Sequence, residues 1–257
     1  MFILYFYANK LMYSGRKSMK EIQIITKDGI KIAANIYNRG FESVLIISPG
    51  WFMTKDSKFF KEMGETFSRY CDVIIFDFRG HGRSSGFYTF TRKEISDIKT
   101  IIDYAKKSYK TIYLMGFSLG AAITLIAASE DESISKIIAV SAPVSFNKIE
   151  NKIWKKEAWL PTFKKCELKR WLSIRPGMLY GKKIKPIDIV DNIKAPTLFI
   201  AGGKDPIVCS WHTKTLFDKA TCTKNYKLFE NCCHAEDLFI QDKKNFIKVC
   251  TEWLFDK

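Results

Sequence analysis

The stretch Gly116-Phe117-Ser118-Leu119-Gly120 ends an apolar run (Ile112 to Met115) and opens onto Ala121-Ala122. A serine flanked by glycines two residues away on each side matches a nucleophile elbow, a sharp strand-to-helix turn that lifts a hydroxyl above a sheet. The glycines have a steric reason. The serine of such a turn holds a strained backbone, and side chains at the flanks would strike the neighbouring strand and helix. G-x-S-x-G alone is moderately specific, so the serine needs partners elsewhere.

A serine hydroxyl is a poor nucleophile without a base, and the base needs an orienting carboxylate. The chain has only three histidines. His81 lies in Asp77-Phe-Arg-Gly-His-Gly-Arg-Ser-Ser85, His212 at a helix start without special context, and His234 between a short strand and the last helix. Active-site groups of parallel sheets gather on loops at carboxyl ends of strands, which favours His234 as the base. Asp205, in Ala201-Gly-Gly-Lys-Asp-Pro206, stands on a loop after another strand. An aspartate before proline is most often a turn former. Its place between Ser118 and His234 raises it to the candidate acid.

These residues need a frame of strands and helices. Glu21–Thr26 and Ile30–Tyr37 read as strands around a Lys27-Asp28-Gly29 turn. Ser43–Ser48, Asp72–Phe78, Thr111–Met115, Ile134–Val140, Pro196–Ala201 and Lys224–Phe229 read as further strands. Helical spacing covers Lys58–Tyr70, Glu94–Tyr109, Leu119–Ser129 and Glu236–Phe255. The alternation implies a mostly parallel eight-stranded twisted sheet with helices on both faces. From about 147 to 185 the rhythm breaks in a tryptophan- and lysine-rich stretch, Trp154, Trp159 and Trp171 included, read as a small helical cap insertion. Residues 20–257 then form a single domain. Residues 1–19, beginning with the short apolar run Met1–Ala8, read as a packing arm, a weak peripheral membrane contact, or an over-extended start with Met19 as the true first residue. That run lacks the flanks of a signal peptide and the length of a membrane span.

At 257 residues there is room for one large α/β domain with a full core. The 42 Lys+Arg against 27 Asp+Glu leave a formal charge of +15. No RNA-binding motif, zinc-ligand spacing or compact arginine cluster accompanies it, so no nucleic-acid partner and no metal are expected. The seven cysteines are odd in number and follow no framework. That favours reduced thiols and the cytoplasm.

Together these features resemble an α/β-hydrolase-superfamily serine hydrolase from about residue 20 onward. Four blocks carry the likeness: Ser48-Pro49-Gly50-Trp51, Asp77-x-Arg79-Gly80-His81-Gly82-x-Ser84, the elbow, and the Asp205 and His234 loops. The resemblance implies Ser118 as nucleophile, Asp205 as acid and His234 as base. It also implies an oxyanion hole from the backbone N–H groups of Trp51 and Leu119, a structural role for His81, and no cofactor. Many members carry His-Gly where this chain has Pro49-Gly50, which removes one N–H but leaves that of Trp51. The likeness is to the compact esterase, monoacylglycerol-lipase and serine-aminopeptidase-like branch. The expected activity is hydrolysis of small or acyl-chain carboxylic esters through an acyl-enzyme on Ser118. Thioesters, peptides, and a catalytically silent binding protein of the same fold are the alternatives, and the oligomeric state is not indicated.

Overall fold

Apolar runs in the sequence become strands whose side chains alternate between two buried faces. The computed structural model of the protein describes residues 18–149, 156, 172–177 and 183–256. Its strands are β1 (Ser18–Ile25), β2 (Lys31–Asn38), β3 (Ser43–Ser48), β4 (Asp72–Phe76), β5 (Thr111–Phe117), β6 (Ile134–Val140), β7 (Thr197–Gly202) and β8 (Lys224–Phe229). They form one eight-stranded sheet in the order β1-β2-β4-β3-β5-β6-β7-β8. The pairs β1–β2 and β2–β4 are antiparallel. From β4 across to β8 every pair is parallel.

Helices α1 (Lys58–Phe67), α2 (Glu94–Lys106), α3 (Leu119–Ala128), α4 (Pro186–Ile189), α5 (Ser210–Lys219), α6 (Asp237–Gln241) and α7 (Lys243–Phe255) cover the sheet. Leu45, Ile47, Val73 and Met115 pack with Phe60 and Met63 of α1 and Phe246 and Leu254 of α7. Their neighbours in sequence, Val44, Ile46, Ile74 and Leu114, pack on the other face with Ile98 and Ile101 of α2 and Ile123 and Leu125 of α3. Burial on both faces is why these strands read as unbroken apolar runs. Each such side chain contributes about 1.5–3 kcal/mol on leaving water.

Several boundaries differ from the sequence reading, and three of them bear on the account below. β1 begins at Ser18, where Ser18 pairs with Asn38 and Met19 with Tyr37, so the strand is already under way at Met19. β4 ends at Phe76 rather than Phe78, because the Asp77 carboxylate turns to accept the N–H groups of Lys55 (2.7 Å) and Arg83 (2.9 Å). The expected single last helix is two, broken at Asp242, whose φ of −136° and ψ of 58° are not helical. The expected arm falls almost wholly outside the described residues. So does most of the expected cap, including Trp154, Trp159 and Trp171. Of the cap, a short 3-10 turn (Phe146–Lys148) and the segment 172–177 are described, the latter bridging Pro176 to Tyr88.

Candidate functional site

Ser118 stands at the junction of β5 and α3 with φ 52° and ψ −115°. An L-residue in that region costs on the order of 1–3 kcal/mol and persists only where its surroundings hold it. Here the Ser118 N–H donates to Val140 O at 2.8 Å, and Ser118 O accepts the Ala122 N–H at 3.1 Å. The flanking glycines have no room for a side chain. A Cβ on Gly120 would overlap the carbonyl oxygens of Ser48 and Pro49, and one on Gly116 would strike Gly120 O and Ala121.

The loops after β7 and β8 bring two side chains to this serine. His234 Nε2 lies 2.8 Å from Ser118 Oγ, and its Nδ1 lies 2.7 Å from Asp205 Oδ2. A carboxylate only accepts, so Nδ1 carries the proton and Nε2 presents its lone pair to the serine hydroxyl. Asp205 Oδ1 is occupied separately, accepting the N–H groups of Ile207 and Val208, both at 2.9 Å. Asp205 is therefore a turn former and a histidine partner at once. The Asp205 side chain is fully shielded and that of His234 is 12% exposed, so the imidazole edge is the open end of the chain of contacts. Such a chain can move a proton from Ser118 to His234 while the carboxylate steadies the imidazolium.

The loop after β3 lies against the elbow: a Cβ on Gly50 would sit 3.4 Å from Ser118 Cβ and 3.3 Å from Phe117 O. Neither Trp51 N–H nor Leu119 N–H has a backbone acceptor among the described residues, which leaves two donors beside the serine. Phe52 follows with a positive φ of 64°. Lys55 anchors the loop from below. Its ammonium is fully buried and reaches Glu21 (2.9 Å), Asp56 (2.8 Å) and Asn35 (3.1 Å). Sequence reading missed this lysine, since a single Lys in a polar loop carries no signal of burial.

The Asp77–Ser84 block is a tight support. Arg79, 2% exposed, bonds Asp97 through its Nε (2.9 Å) and a terminal nitrogen (2.7 Å), and reaches Asp28 at 2.8 Å. The Arg79 guanidinium holds the Asp28 carboxyl down to about 2. Burial pushes Asp77 up to about 7 despite its two N–H donors. His81 is buried and donates Nδ1–H to Arg79 O at 3.2 Å, while burial lowers it to about 4 and keeps it neutral. It makes no approach to Ser118, in line with its expected structural place. His212, without context in the sequence, is wholly buried and its Nδ1 accepts the Val144 N–H at 3.3 Å. Ser141 was missed as well. Its hydroxyl accepts the N–H of Ala235 at 3.1 Å, fixing the backbone beside His234, and both residues have positive φ. Among the described residues no three His, Cys, Asp or Glu side chains converge as a metal site requires.

Sheet order, helix layers and elbow together define the class: the chain has the α/β-hydrolase fold. Residues 43–163 match the sequence family described as alpha/beta hydrolase fold. Among relatives, an uncharacterized membrane protein of Saccharomyces cerevisiae is 26% identical over 99% of this chain and 91% of its own. An alpha/beta hydrolase domain-containing protein of Arabidopsis thaliana is 25% identical over 58% of this chain, a match that takes in only 49% of that relative. Among solved structures, an esterase of Pyrococcus furiosus superposes with a TM-score of 0.76 at 22% identity, covering 93% of this chain and 91% of that one. At that identity the likeness speaks for the fold. Among the described residues no helix is long and apolar enough to cross a membrane.

Proposed function

We propose that the protein is a serine hydrolase that cleaves carboxylic esters of small or acyl-chain substrates, with Ser118 as nucleophile, His234 as base and Asp205 as the orienting acid. The observation that carries the reading is the pair of short contacts on one imidazole, 2.8 Å to Ser118 Oγ and 2.7 Å to Asp205 Oδ2. His234 takes the hydroxyl proton as Ser118 Oγ attacks the ester carbonyl. The oxyanion forms against the N–H groups of Trp51 and Leu119, whose role as preorganised donors costs no reorganisation. The imidazolium gives its proton to the departing alkoxide, and water then attacks the acyl-enzyme with His234 again as base. No cofactor enters these steps. Among the described residues Cys71, Cys222, Cys232, Cys233 and Cys250 are free thiols, which suits a reducing compartment, and we assign the protein to the cytoplasm.

Labelling with a fluorophosphonate probe tests the activity. Wild type should be labelled and the Ser118→Ala variant should not; equal labelling of both would sink the reading. A panel of esters and thioesters of graded acyl length then separates an esterase from a thioesterase.

A further inference from the structure

Trp51, on the loop beside Ser118, is the start of a wall of aromatic rings. Its indole meets Phe90 edge-on at 4.7 Å and lies 6.2 Å from Tyr88, and Phe90 in turn meets Phe146 at 6.0 Å. The backbone that presents this wall is strained: Phe90 and Thr91 have φ of 57° and 78°. Strain of this kind, held by surrounding structure, collects where a side chain must be aimed.

At the far side of Phe90 stands Lys183, half-buried, with its Nζ 4.9 Å from the ring centroid. Among the described residues it has no ion pair. The carboxylate whose charge acts on it is Glu94, whose Oε1 is taken by the Thr89 N–H at 2.6 Å and whose Oε2 accepts the Thr89 hydroxyl at 3.0 Å. A partly desolvated ammonium costs free energy, and a ring face offsets only about 0.5–2 kcal/mol of it. The same wall holds two further polar groups without hydrogen-bond partners among the described residues, Trp51 Nε1–H and Tyr88 OH. An indole N–H can only donate, as can an ammonium. The wall thus offers donors and a positive charge where the described residues provide no hydrogen-bond acceptor.

We propose that Lys183, with the Trp51–Tyr88–Phe90 wall, forms a subsite for an anionic group, a carboxylate or phosphate, carried by the ester on the side away from the scissile bond. The proposal rests on the serine-hydrolase reading and narrows its substrates to esters with a negative charge. It makes Lys183 a specificity residue.

The test compares the mono-p-nitrophenyl ester of glutaric acid with neutral p-nitrophenyl butyrate on wild type, Lys183→Met and Lys183→Arg. The ratio of kcat/KM, anionic over neutral, should fall about tenfold in Lys183→Met, the effect of losing one charge-assisted contact, and largely return in Lys183→Arg. A second readout needs no turnover: glutarate or inorganic phosphate should raise the Tm of the Ser118→Ala protein, and Lys183→Met added to it should abolish the rise. Either anion acting through Lys183 supports the subsite. An unchanged ratio together with a Tm shift that ignores Lys183 would overturn it while leaving the hydrolase reading intact. Absence of Ser118 labelling would instead defeat the hydrolase reading, and the Tm experiment would still decide on Lys183.

Discussion

Asp205 meets His234 Nδ1 with one carboxylate oxygen at 2.7 Å and holds its own loop with the other, through the N–H groups of Ile207 and Val208. This division lets chemistry and folding be separated by one substitution. In Asp205→Asn an amide oxygen still accepts the two loop N–H groups, so the turn persists. The amide nitrogen then faces Nδ1 and donates to it, which forces the proton onto Nε2, where it can no longer accept from Ser118. The proposed ester hydrolysis should fall by about four orders of magnitude, the size found when the matching contact is changed in a serine protease. Tm should move by only a few degrees. Retained turnover would remove Asp205 from the proposed machinery.

The elbow is held by backbone against backbone, and Gly120 is where that contact is tightest. A methyl group there would overlap Ser48 O and Pro49 O, which belong to the end of β3 and the loop leading to Trp51. No flexible side chain can give way. Gly120→Ala should push this loop from Ser118, and displacements of about 1 Å at a reacting centre cost roughly 100-fold in rate. Fluorophosphonate labelling rates should drop accordingly, and thermal unfolding should show a cost of about 1–3 kcal/mol from overpacking. Wild-type labelling in this variant would mean that the loop has slack the structure does not show.

The middle of the sheet was legible because its strands are buried on both faces: Ser43–Ser48 and Ile134–Val140 coincide with the observed strands. The convergence of Ser118, Asp205 and His234 was legible because chain order and strand ends single out these few side chains. What stayed hidden depends on contacts between distant segments. Lys55 becomes a buried anchor only through Glu21 and Asn35, which lie on β1 and β2. His212 and Ser141 each accept a backbone N–H from a distant segment, which leaves no periodic trace. The break at Asp242 is equally local, since an aspartate inside an amphipathic run reads as one more exposed position.

Arg79 binds Asp97 deep beneath the site, and both are almost fully shielded from water. A buried pair is a weak source of net stability, but removing one member strands the other's charge. Arg79→Met should therefore destabilise the fold by about 3–5 kcal/mol, read by urea unfolding. Asp28, 41% exposed, keeps water as a substitute, so Asp28→Ala should cost far less. Similar losses in the two variants would show that the inner pair is not the dominant contact.

His81 supplies a pH test with a defined sign. Its folded value of about 4 lies below the ordinary 6.5, with burial as the main cause, so between those values the unfolded chain binds the extra proton. The stability tied to neutral His81 is complete above about pH 6.5 and is lost as pH falls towards 4. The gap corresponds to about 3 kcal/mol, an upper figure for so buried a group. Asp77 runs the other way: its carboxyl is raised from 3.8 to about 7, so its contribution weakens as pH rises through that window. Comparison with His81→Asn removes the Asp77 effect, because both proteins share it. The variant keeps an N–H for Arg79 O and has no titrating group, so its deficit relative to wild type should be largest near pH 7 and shrink by roughly 2–3 kcal/mol by pH 4.5 in urea unfolding. A deficit that stays constant across the range would mean that His81 is not held neutral in the folded protein.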